Sequence, residues 1–151
     1  MTHPSLRCLA VIAVLGLPVL ASADAPAGRY TIADGGNAKG TVYDKKTKLT
    51  WQQTVPSTTY DWDGAKAYCA QVGATLAGTG WRLPTLKELM SIVDYSRYDP
   101  AIDPTAFPST PSDYFWSSSP LAGSSSSAWL VRFTVGYPDY VGNAAYVRCV
   151  R

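Results

Sequence analysis

The side chains that most often carry enzymatic chemistry are scarce in this 151-residue chain. It has one histidine, His3, one glutamate, Glu88, and three cysteines, Cys8, Cys69 and Cys149. A hydrolytic triad needs an imidazole to take the nucleophile's proton, and a structural zinc site needs four closely spaced Cys or His ligands. With His3 at the far amino end and Cys69 remote from Cys149, neither arrangement is expected. Glu88 falls in Thr85-Leu86-Lys87-Glu88, a capping box in which the Thr85 hydroxyl accepts from the Glu88 amide and the carboxylate accepts from the Thr85 amide. That structural task takes the sole glutamate away from any glycosidase-like carboxylate pair. The expectation is a protein that is not an enzyme, with no metal and no cofactor.

Other polar groups are read the same way. Asp61-Trp62-Asp63-Gly64 resembles a fragment of a calcium loop, but the remaining ligands are missing and helix capping accounts for the aspartates. Asp94, Asp99 and Asp103 lie among prolines and serines, where turn formation is preferred over calcium ligation. Lys39, Lys45, Lys46 and Lys48 gather around one turn, and protection of an edge strand is preferred over an anion-binding patch. The surplus lies in the aromatics, 10 Tyr and 5 Trp, whose flat apolar faces with polar edges suit sugar rings and protein interfaces. Tyr95, Arg97, Tyr98, Tyr137, Asp139, Tyr140 and Asn143 fall in expected loops or turns and are the candidate ligand-binding residues.

These residues need elements to position them. Residues 1–23 read as a signal peptide: Arg7, an uncharged stretch of about 14 residues, then Ala21-Ser22-Ala23 as a cleavage site. The stretch is short of the ~20 residues that span a bilayer, so no membrane insertion is expected after cleavage, and the product is exported to the periplasm or cell exterior. Cleavage removes Cys8 and His3, and an oxidising compartment favours pairing the two remaining cysteines; two buried free thiols are the alternative. Closing that loop of about 80 residues stabilises by roughly 4–5 kcal/mol in the chain-entropy treatment. With Arg7 in the leader, twelve basic residues face eleven acidic ones, too even a balance for a general nucleic-acid or membrane-surface binder.

Residues 24–40 form a lead-in with one short strand near Tyr30, and residues 41–151 form the domain. Strands at 41–43 and 49–52 flank the polar turn 44–48. A helix at 62–72 is capped by Asp61 and ended by Gly73, with Ala65, Tyr68, Cys69 and Val72 on one face. A second helix carries Leu86, Leu89, Met90 and Val93. Residues 94–113, with prolines at 100, 104, 108 and 111, form a long irregular loop pinned by Ile102 and Phe107. The remainder reads as antiparallel sheet: a strand at 114–118, a strand whose apolar face is Trp129, Val131 and Phe133, a turn at 136–139, and a closing strand at 146–150 with Val147 and Cys149 facing inward.

Several segments fall in the order and spacing of one family: Leu49-Thr50-Trp51-Gln52, Gly80-Trp81-Arg82-Leu83-Pro84-Thr85, Pro100-Ala101-Ile102-Asp103, Trp116-Ser117-Ser118-Ser119 and Tyr146-Val147-Arg148-Cys149-Val150. From about Thr41 to Arg151 the chain resembles the C-terminal domain of the Legionella collagen-like adhesin (Lcl). The resemblance implies an α+β, C-type-lectin-like fold, with two helices packed on small antiparallel sheets and a long irregular loop region. It also implies a bond from the first-helix cysteine, Cys69, to the last-strand cysteine, Cys149, and binding of glycans, including sulfated ones. The chain lacks the Glu-Pro-Asn, Gln-Pro-Asp and Trp-Asn-Asp segments of calcium-dependent sugar-binding lectins, and it lacks collagen-like repeats. The functional expectation is an exported, non-catalytic module for a glycan or a surface protein. The alternatives are a structural subunit of a surface or periplasmic assembly, or a cysteine-based oxidase-like enzyme with Arg148 activating a thiolate.

Overall fold

The computed structural model describes residues 27–33, 35–36, 40–124, 127–140 and 142–151. The signal peptide expected at 1–23, and Lys39, lie outside them. Strand β1 (Tyr30–Ile32) pairs antiparallel with β2 (Thr41–Asp44), and β2 with β3 (Thr50–Gln52), in a three-stranded sheet. The helices α1 (Trp62–Gln71) and α2 (Leu86–Ser91) follow. A second antiparallel sheet has the order β4 (Tyr114–Pro120), β5 (Ala128–Arg132), β6 (Tyr137–Asp139). The class is α+β, with two helices and two small antiparallel sheets.

Local chemistry sets the helix starts. The Asp61 side chain accepts from the Gly64 amide at 2.7 Å, and the Thr85–Glu88 capping box is complete. Glu88 also holds Arg82 through both carboxylate oxygens, at 2.7 and 2.8 Å, a contact that the motif alone does not reveal. The end of α1 differs from expectation. Gly73 does not terminate it in the left-handed region; the chain tightens into a 3₁₀ turn, Val72–Ala74, which keeps Val72 buried. Helix α2 is one short run, and Val93 lies beyond it, yet still in the core.

Strand β1 makes the stretch read as a lead-in part of the first sheet. Arg29, just ahead of it, grips the fully buried Asp44 with Nε (3.0 Å) and Nη2 (2.6 Å), and Nη2 also reaches the Ser91 carbonyl at 2.8 Å. Although burial works against the charge, Arg29, the Lys46 amide and the Thr47 hydroxyl hold the Asp44 carboxyl below the usual range.

The second sheet separates two apolar clusters. Phe115, Val131 and Phe133 join Trp51, Leu89, Ile102 and Phe107 on one side. Trp116, Ala128 and Leu130 join Cys69, Trp81, Val147 and Cys149 on the other. Strand β5 is therefore buried on both faces rather than one, and its half-buried residues are Trp129 and Arg132. The turn also sits earlier than expected: residues 133–136 turn, Gly136 takes φ 78° and donates to the Arg132 carbonyl, and Tyr137–Asp139 pairs as an edge strand. A Cβ at Gly136 would collide with Val93 Cγ1, so a side chain is excluded there.

Residues 146–150 form no continuous ladder. Tyr60 exchanges both backbone hydrogen bonds with Ala145, Tyr146 bridges to Phe115, and Val150 bridges to both Trp51 and Arg82. A segment that changes partner at nearly every residue cannot keep one register; instead it joins the two sheets. Cys69 and Cys149 are bonded, with Cα atoms 5.3 Å apart, and both are fully buried.

Candidate ligand-binding site

The long loop is built before anything binds to it. Its backbone is tied to the turn after β5, where Asp99 N donates to Thr134 O at 2.9 Å and Ala101 N to Phe133 O, and it is closed on itself by Asp94 N donating to Ala101 O at 3.0 Å. Ile102 and Phe107 are each 1 % exposed and anchor it from below, as expected. Farther along, the fully buried Arg148 holds it from inside. Arg148 Nη1 donates to the carbonyls of Gln52 (2.8 Å) and Gln53 (2.6 Å), and Nη2 donates to Thr110 Oγ1 (2.7 Å). Its guanidinium lies over Phe107, 4.6 Å from the ring centroid. Burial lowers its pKa to about 9, which leaves it charged at neutral pH. Arg148 thus faces the Phe107–Phe115 cluster while the cysteines face the other, and both sulfurs are in one bond.

On this frame the expected residues separate into groups. Tyr95 and Tyr98 project from the loop, 64 % and 82 % exposed. The Tyr95 ring approaches to 3.6 Å of where a Cβ on Gly136 would stand, beside Tyr137, which is 63 % exposed. Arg97 Nε lies 3.1 Å from Asp94 Oδ2, whose partner oxygen also accepts from the Ser96 amide and hydroxyl. Asp139 and Tyr140 lie at the other end of the edge strand. The Asp139 carboxylate accepts from the Tyr140 amide at 2.7 Å, and the Tyr140 ring meets Trp129 edge to face at 5.9 Å. Asn143 is exposed and makes no hydrogen bond or ring contact among the described residues. Tyr137 and Asp139 were expected in a turn; they stand on β6, because the turn closes at Gly136.

The loop encloses an open cleft of about 380 Å³ lined by Ser96, Arg97, Tyr98, Asp99, Pro100, Ile102 and Pro104. Sequence reasoning found Arg97 and Tyr98 but assigned Asp99 to turn formation only. Asp99 does shape the turn, at φ 55°, and it is also an exposed residue of the cleft wall. Trp129, expected on an inward apolar face, is half-buried and meets Tyr140 edge-on. Among the described residues no three His, Cys, Asp or Glu converge to hold a metal ion, and no helix is long and apolar enough to cross a membrane.

The arrangement is that of a small disulfide-closed α+β domain presenting a preformed aromatic loop. The Lcl C-terminal domain family model matches residues 40–151, and the chain belongs to that family. No curated protein matches the chain.

Proposed function

We propose that this protein is an exported, non-catalytic binding module of C-type-lectin-like fold whose ligand is a glycan. The observation that carries the reading is the set of exposed tyrosines, Tyr95, Tyr98 and Tyr137, on two segments held together by backbone hydrogen bonds beside the Tyr98 cleft. Tyrosine faces left in solvent on a rigid frame bind with little loss of conformational freedom, and they match the flat C–H faces of sugar rings. The cleft is near the lower end of the roughly 300–1,000 Å³ typical of small-ligand sites, which suits one or two sugar units. The bonded cysteines leave no thiol for an oxidase-like reaction among the described residues and fit an oxidising compartment.

A glycan array of the domain, with and without a chelator and across a salt series, tests the reading. Binding that survives chelation and falls in Tyr98→Ala, whose melting temperature is unchanged, is the expected result. Chelator-sensitive binding would contradict calcium independence. Failure to bind any glycan, with retention of a surface protein, would overturn the glycan assignment.

A further inference from the structure

The charges around the cleft are unbalanced, and their sign selects among glycans. Among the described residues Arg97 is the only cation on its wall, and that guanidinium is engaged by Asp94, which is 3 % exposed. Asp99 is the only carboxylate on the wall, exposed and without a hydrogen-bond or ion-pair partner among the described residues. Asp103, next along the loop, is already occupied in accepting from the amides of Thr105 (2.8 Å) and Ala106 (3.3 Å). Beside Asp99 stands Tyr98, the most exposed aromatic residue of the described chain, and Pro100, Ile102 and Pro104 give the cleft its apolar side. An unpaired carboxylate next to an aromatic face attracts an ammonium group twice over, by ion pairing and by cation–π attraction. It repels sulfate and uronate.

We infer that the Tyr98–Asp99 cleft recognises a glycan bearing a free ammonium group, an amino sugar that is neither acetylated nor sulfated. The apolar face of the ring lies on Tyr98, and the ammonium is held by Asp99. The inference rests on the glycan reading above and narrows it. It departs from the sulfated ligands that the family resemblance implies, because the one cation on the wall among the described residues, Arg97, is already paired with Asp94. The backbone hydrogen bond from Asp99 to Thr134 holds the loop at the residue that carries the carboxylate.

Calorimetric titration with a glucosamine oligomer, its N-acetylated counterpart, a heparin oligosaccharide and a lysine-rich peptide, at mildly acidic pH, tests it. The glucosamine oligomer should bind at least about tenfold more tightly than the acetylated one. Asp99→Asn should erase that preference, and Asp63→Asn, the same charge change on the outer face of α1, should preserve it. Asn tolerates the left-handed backbone that Asp99 adopts, so the variant retains the loop. Acetylated or sulfated oligomers binding as well as the free amine, with Tyr98→Ala still abolishing binding, would overturn the ammonium assignment and leave the glycan reading intact. The same follows if Asp99→Asn changes nothing. Binding of the peptide alone would overturn the sugar as the source of the ammonium, and binding of none of the four would overturn both readings.

Discussion

Arg29 and Arg148 are both buried, but their positive charges are balanced differently. Arg29 is matched by Asp44, so Arg29→Ala strands a carboxylate in the interior and should cost about 3–5 kcal/mol, read from the shift in urea midpoint. Arg148 has no carboxylate among its hydrogen-bond partners; two main-chain carbonyls, a hydroxyl and two aromatic rings hold it. A lysine cannot reproduce that fork, and Arg148→Lys should lose about 2–3 kcal/mol and loosen the Thr110 segment, visible as faster amide exchange there. Glu88 gives the pH signature. Arg82 first, then the Thr85 amide and hydroxyl, hold its carboxyl at about 2, against an ordinary 4.5. A depressed folded value means that the stabilisation is complete above pH 4.5 and is lost as the pH falls towards 2. Glu88→Gln should therefore cost about 1 kcal/mol at neutral pH, the partly exposed setting being allowed for, and should flatten that stretch of the acid limb in denaturation curves.

At the level of elements, what could be read from the sequence was what depends on neighbours in the chain. The Asp61 cap, the Thr85–Glu88 box, the 41–52 hairpin and the anchoring of the long loop by Ile102 and Phe107 all appear where side-chain pattern placed them. Features decided by distant partners did not. Nothing near Leu130 in sequence shows that a second cluster lies on the far side of β5, and nothing near Val147 shows that the closing segment divides itself among four partners. The edge strand β6 was hidden because Gly136-Tyr137-Pro138-Asp139 has turn composition, whereas the turn falls three residues earlier, at 133–136, and closes with Gly136 packed on Val93. Candidate residues were legible by type more than by place: Tyr95, Tyr98 and Tyr137 are exposed together, but Asp99 looked like punctuation. Leu130→Ala tests the two-sided sheet. With a single apolar face it would be nearly neutral; with a core on each side it should cost about 2–5 kcal/mol in chemical denaturation.

Over the whole molecule, the frame and the aromatic surface are separable. The frame is closed by Cys69–Cys149, across 80 residues of sequence, and the double Cys→Ser variant should lose about 2–5 kcal/mol, a large part of the stability of a domain this size. Tyr95→Ala and Tyr98→Ala change exposed side chains and should move the melting temperature little while weakening ligand binding. The segment 145–151 has a further consequence, for the timing of folding. It is synthesised after every element that it joins, and through Tyr60, Phe115, Trp51 and Arg82 it supplies partners to both sheets. Until these residues are made, β3 and β4 lack their shared partner and Cys69 lacks the sulfur that it bonds in the folded domain.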